Sequence, residues 1–158
     1  MKRKIPYLLF IVCLLAADQV SKLLIERHIP QGGLVTVIPG FFNLRHVRND
    51  GAIFGFLSGN GNRWVSGGLM AATLLALTFV LAYFLRTPAE EKGMLMGLTL
   101  IATGALGNLA SRALKGYVVD FVDWHIKDAH WPFFNVADSC VTVGAVLLLI
   151  LLVVKRRR

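Results

Sequence analysis

Acidic residues are scarce in this sequence: nine Asp and Glu stand against 17 Lys and Arg among 158 residues, a formal net charge of +8. Cysteine is nearly absent as well. Cys13 and Cys140 both lie inside apolar segments, which excludes a disulfide framework and offers no zinc-ligand spacing, so both read as packing residues. There is no repeat at a solenoid period and no low-complexity tract. Charged residues of either sign make up 16% of the chain, whereas 56% is hydrophobic and the mean hydropathy is +0.63. A soluble domain of this size could not hide so much apolar surface, so lipid is the expected solvent. A basic patch on a soluble fold would point to nucleic acid. Here the basic residues flank apolar runs, which reads as membrane topology, and no nucleic-acid partner is expected.

Four segments meet the requirement of about 20 largely apolar residues for a spanning helix. They cover about 5–25, 64–85, 93–110 and 134–154 within a single domain of residues 1–158, leaving loops 26–63 and 111–133. The opening "MKRKIPYLLFIVCLLAAD" has the basic start and short apolar core of a secretory signal, but the helical pattern continues through "QVSKLLIE", and a retained first span is expected. Nine of the 17 basic residues fall in three short segments: Lys2 to Lys4, Arg86 with Lys92, and Lys155 to Arg158. Such dense segments belong in the cytoplasm, which puts both termini inside and both long loops outside. The first loop has β-favouring runs, Leu34 to Ile38 and Phe41 to Val47, broken by Pro39-Gly40 and Asn49-Asp50-Gly51. The second mixes carboxylates with Trp124, Trp131 and three phenylalanines, and suits an interfacial position. The expected fold is an all-α membrane protein of four transmembrane helices with a small extracytoplasmic β-sheet and an aromatic outer loop.

One acid is out of place. Cys140 to Val154 is an uncharged run of 15 residues. As a helix it is roughly 22 Å long, short of the hydrocarbon thickness of about 30 Å, so the fourth helix must begin earlier and take Asp138 to the membrane boundary. A carboxylate near lipid costs several kcal/mol unless it faces the protein interior, where such residues usually carry function. Asn135 as an N-cap, with Asp138 three residues on at the positive end of the helix dipole, accounts for the acid without chemistry, and the two readings are compatible. "GYVVDFVDWH" supplies two possible second acids, Asp120 and Asp123. Two aspartates held close share a proton, one acting as general base on water while the other polarises the scissile carbonyl. Spacing alone does not choose between Asp120 and Asp123.

Five motifs in order resemble the lipoprotein signal peptidases (signal peptidase II): "DQVSK" (Asp18 to Lys22), "VRNDGAIF" (Val47 to Phe54), "GALGNLASR" (Gly104 to Arg112), "GYVVDF" (Gly116 to Phe121) and "FNVADS" (Phe134 to Ser139). The resemblance implies an aspartic endopeptidase of the bacterial cytoplasmic membrane. It would cut prolipoproteins on the amino side of a diacylglyceryl-modified cysteine, near the outer leaflet, as a monomer among membrane lipids and without metal or cofactor. It maps the catalytic pair onto Asp120 and Asp138, makes Asp123 a solvated or structural neighbour, and has Asn49, Asn108, Arg112 and Asn135 line the site, holding the substrate backbone and orienting the aspartates through hydrogen bonds. Asp18 and Lys22, four apart on one helical face, can pair with each other or contact substrate. The family pattern usually has Asp before the arginine, where this chain has Ser111; a serine can hydrogen-bond to Arg112 or to nearby backbone but cannot form a salt bridge.

Three rivals start from other residues. Asp120, Asp123, His125, Asp128 and His130 crowd into a short stretch that could bind a divalent ion, though no H-E-x-x-H or Cys-pair spacing supports it. Ser111 and Lys115 could form a Ser/Lys pair if the lysine were desolvated. Asp138, Asp18 and Lys22 could line the ion path of a small transporter or binding protein.

Overall fold

The computed structural model describes residues 2–50 and 63–156. The turn residue Gly51, the motif end Gly51 to Phe54 and the terminal Arg157 and Arg158 lie outside the described residues. A 3-10 turn, Lys2–Lys4, leads into α1 (Ile5–His28); β1 (Leu34–Ile38) and β2 (Phe42–Asn49) follow. Then come α2 (Arg63–Arg86), α3 (Lys92–Lys115), β3 (Val118–Ile126), β4 (Ala129–His130) and α4 (Val136–Arg156). Among the described residues these four α-helices contain stretches long and apolar enough to cross a membrane.

In lipid, helices gain little from hiding apolar side chains from one another, so close backbone approach through small residues decides their packing. The third helix is the hub: half of its apolar window is buried, against 11–17% in the others. It packs on α1, α2 and, most extensively, α4. Glycines make the α3–α4 contact. A Cβ on Gly104 would collide with the Ala137 carbonyl oxygen, and one on Gly144 would lie 2.8 Å from the Gly97 oxygen. Gly104→Ala must therefore wedge α3 from α4 where they carry Asn108 and Asp138. We expect it to cost about 1–3 kcal/mol, the usual range for overpacking, and to cut peptidase activity more than it lowers the unfolding midpoint in detergent. Equal activity per folded molecule would show that the seam tolerates the methyl. Large apolar side chains elsewhere on the helices (Leu9, Val12, Phe79, Leu85, Leu149) point outward, as a lipid solvent requires. Cys140 is buried as a packing residue should be, whereas Cys13 is exposed on the outer face of α1.

Both chain ends meet the short α2–α3 connection at one end of the bundle. Arg3 pairs with Glu90 at 2.8 Å and Lys155 with Glu91 at 3.0 Å. Lys4 Nζ donates to the carbonyls of Phe84 and Leu85, satisfying acceptors that the end of α2 leaves open. The sheet occupies the opposite end.

That sheet is antiparallel, four-stranded and ordered β1-β2-β3-β4. The second long loop, read from the sequence only as aromatic and interfacial, supplies two of its strands. "VVDFVDWHI" hid its strand character because apolar residues occupy both faces, Val118 and Val122 on one and Val119 and Phe121 on the other, which blurs the period-two alternation. Val119 and Phe121 pack with Ile25 and Ile29 at the end of α1, so the sheet is seated on the bundle through β3.

Candidate active site

The site lies where β3, the end of α3 and the start of α4 converge. Asn135 precedes α4 and caps it. Its Oδ1 accepts the Asp138 N–H at 3.0 Å, while Asp138 Oδ2 accepts the Asn135 N–H at 3.1 Å. This is the reciprocal exchange of a capping box, built here from Asn and Asp. The capping account of Asp138 is therefore correct, and it uses only one carboxylate oxygen. The other, Oδ1, accepts from Asn108 Nδ2 on α3 at 2.7 Å.

Asp120 arrives on β3 and is only 4% exposed. Its Oδ1 accepts from Asn135 Nδ2 at 2.7 Å and its Oδ2 from Asn49 Nδ2 on β2 at 2.9 Å. Asn135, wholly buried, thus holds Asp120 with its side chain and Asp138 with its backbone. Burial raises the Asp120 pKa, and the Asp138 charge adds to the rise. Hydrogen bonds from Asn49 and Asn135 and the charge of Lys22 oppose it, leaving the group at about 6. Asp123 goes elsewhere. Three residues along a strand turns a side chain to the other face, and its partners are all sheet residues. The structure thus separates two acids that spacing could not.

A polar chain runs from this pair into the bundle. Lys22 Nζ donates to Asn108 Oδ1 at 3.0 Å and to Asp18 Oδ2 at 2.9 Å, and both ions are almost fully buried. Lysine is a donor only, so Asn108 must turn its oxygen to Lys22, which sends its NH₂ to Asp138. Asp18 Oδ1 accepts the Ala137 N–H at 2.9 Å, supplying a second cap to α4 from a helix distant in sequence. Asp18 and Lys22 do pair, four apart on α1.

Gln19 went unremarked between them, yet its Nε2 lies 2.8 Å from Asp18 Oδ2, 3.0 Å from the Gly107 oxygen and 3.3 Å from Ser111 Oγ. Its place inside "DQVSK" was the available sign. Ser111 takes the backbone option, donating to the Gly107 oxygen at 3.0 Å, with Lys22 Nζ 3.5 Å away. It does not hold Arg112, whose buried Nε has no partner among the described residues. Lys115 is engaged by Glu26, well away from serine activation. Among the described residues no group of three or more His, Cys, Asp or Glu is arranged to hold a metal ion.

Four lipid-length helices, with one acid on β3 and another on α4 joined through one asparagine, have the makings of a membrane hydrolase. The comparisons with known proteins are narrower. The family described as Signal peptidase (SPase) II matches residues 10–154. Proteins named lipoprotein signal peptidase are similar throughout. That of Francisella tularensis subsp. novicida (strain U112) is 37% identical over 149 residues, 94% of this chain and 92% of its own. That of Syntrophus aciditrophicus (strain SB) is 34% identical over 157 residues, 98% of each chain. A solved structure described as a bacterial membrane enzyme obtained by the in meso method at 1.9 Å superposes with a TM-score of 0.79 at 34% identity, covering 93% of this chain and 92% of that one. The chain belongs to the signal peptidase II family and is an enzyme of the aspartic endopeptidase class.

Proposed function

We propose that this protein removes the signal peptide from prolipoproteins by cutting on the amino side of a diacylglyceryl-modified cysteine, with Asp120 and Asp138 activating the water. The observation that carries the reading is Asn135, which hydrogen-bonds to both carboxylates at once. Asp120, buried and raised to about 6, is suited to carry the shared proton and deliver it to the substrate. Asp138 takes a proton from the attacking water. The hydrogen bonds of Asn49, Asn108 and Asn135 to the acids support an orienting role for all three in the substrate-free enzyme. Arg112, with a buried Nε unpartnered among the described residues, has donors to offer the substrate backbone.

The basic ends that meet the α2–α3 connection face the cytoplasm in this reading, and the sheet and aromatic loop face out at the level of the outer leaflet, in the bacterial inner membrane. The chain works as one domain and as a monomer, its partners being lipidated prolipoprotein and membrane lipid, with no nucleic acid. The test is purified enzyme with a propeptide carrying diacylglyceryl-cysteine, beside the same peptide unlipidated. Cleavage before the cysteine in the first alone is expected, and an intact lipidated peptide would overturn the proposal.

The acid at about 6 sets a pH dependence. Below that value Asp120 is neutral and the pair keeps its proton; above it the proton is lost and the acid function with it. In the free enzyme kcat/KM is therefore expected to fall as pH rises through about 6, with the fall in kcat displaced upward once substrate excludes water. Asn49→Ala removes a hydrogen bond that holds the pKa down, so its kcat/KM limb should lie at higher pH than the wild-type limb. A limb that stays put in Asn49→Ala would assign it to another group.

A further inference from the structure

One buried acid remains without a task in this mechanism. Asp123 is 0% exposed and lies on the face of β3 away from Asp120. Three donors from two other strands converge on it: Asn43 Nδ2 at 3.1 Å and Arg45 Nε at 3.1 Å from β2, and His130 Nδ1 at 2.6 Å from β4. Asn43 also reaches His125 Nε2 at 3.0 Å, and the His125 and His130 rings stack with centroids 4.8 Å apart. Burial would raise the Asp123 pKa, but the His130 and Asn43 hydrogen bonds and the charges of His130 and Arg45 outweigh it, and the group sits below the ordinary carboxylate value.

The position of this cluster gives it a use. The β2–β3 ladder pairs Asn43 with Asp123 and Val47 with Asp120, but its register shifts between Leu44 and Val47. A bulge breaks the ladder locally, so backbone pairing around Asp123 does not by itself hold Asp120 in place across the gap. The segment entering α4 docks on β3 between the two acids: Phe121 and Val122 N–H both donate to the Phe134 oxygen, at 3.0 and 2.8 Å. Phe133, just before it, lies under the Arg45 guanidinium at 5.4 Å and against His130 at 6.4 Å. The members of the cluster therefore touch both the strand that bears Asp120 and the segment that bears Asn135.

We propose that Asp123 is a positioning residue for proteolysis: its carboxylate, gripped by Asn43, Arg45 and His130, sets the register of β3 beyond the bulge and hence the spacing of Asp120 from Asn135. The proposal rests on the dyad reading above. Small misplacements of reacting groups are costly, and Asp123→Asn, which keeps the shape and loses the charge, is expected to lower kcat about 10-fold or more with KM within about twofold. The Asp120 limb of kcat/KM should also move to higher pH, because slack in β3 loosens the Asn49 and Asn135 hydrogen bonds that hold that pKa down. Arg45→Gln, on a side chain 31% exposed, removes the cation beside Asp123 and leaves a shorter amide donor in its place, and should lower kcat about threefold with the same direction of limb shift.

The assays would be run on purified enzyme with the lipidated propeptide, scaled to the folded fraction. Wild-type kcat and an unmoved limb in Asp123→Asn overturn the proposal; should that variant not fold, the same result in Arg45→Gln does so. Asp120→Asn run alongside separates the two ideas. If it still cleaves, the dyad reading fails; if it is dead while Asp123→Asn is fully active, only the positioning role fails.

Discussion

Asp120→Asn and Asp138→Asn are each expected to lower the cleavage rate of a lipidated propeptide by about 10³-fold or more, since each removes one partner of the proposed acid–base pair. The double variant should be little worse than either single one, because groups acting as a unit do not contribute additively. The two changes differ in their structural cost. Asp138 receives donors on both oxygens, from Asn108 and from the Asn135 N–H. An asparagine there has one acceptor oxygen, so one donor loses its partner at a cost of about 1–3 kcal/mol. At position 120 the new NH₂ would face either Asn49 or Asn135, which is again donor against donor. Both variants should therefore unfold at somewhat lower temperature in detergent while remaining folded at assay temperature. A variant that retains wild-type cleavage removes its residue from the chemistry.

Lys22→Met should have the largest effect on stability. It leaves the Asp18 carboxylate buried with its cation gone, and breaking a buried pair from one side typically costs about 3–5 kcal/mol. Among the described residues, Asp18 would keep its Ala137 N–H and Gln19 contacts. Asn108 Oδ1 would keep only the longer of its two donors among the described residues, Asn135 Nδ2 at 3.3 Å, so its NH₂ would be held less firmly on Asp138, and activity per folded molecule should fall as well. Asp18→Asn combined with Lys22→Met removes both charges and keeps an oxygen for the Ala137 N–H. It is expected to recover a good part of the stability and little of the activity. Thermal unfolding of the three variants, with cleavage measured on the folded fraction, checks both halves. A Lys22→Met protein as stable and active as wild type would show the ion pair to be dispensable.

How far the sequence reached is clearest from individual residues. The four helices long and apolar enough to span were legible because a helix in lipid must satisfy its own backbone and present apolar side chains, which length and hydropathy report. Asn135 and Asp138 were legible as a cap because the exchange is local, three residues apart. Asp18 and Lys22 were legible as a pair for the same reason. The second sheet strand pair was missed because β3 is buried on both faces and lacks alternation. Gln19 was missed because two of its three partners, Gly107 and Ser111, belong to another helix. The Asp123 cluster was out of reach: Asn43, Arg45 and His130 have no spacing relation to Asp123 until two strands and a hairpin bring them together.

By itself the sequence determined four helices long and apolar enough to cross a membrane and the motifs that mark a peptidase family, and through that resemblance it offered two carboxylates as candidates. Each of these depends on residue type, on local spacing or on motifs in order. Only the tertiary structure decided which face of β3 each acid takes, that one asparagine joins Asp120 to Asp138, and that a lysine from α1 orients the amide beside them. Those are contacts between elements far apart in the chain, and hydrogen bonds act over about 3 Å, a distance that only the packed fold can set.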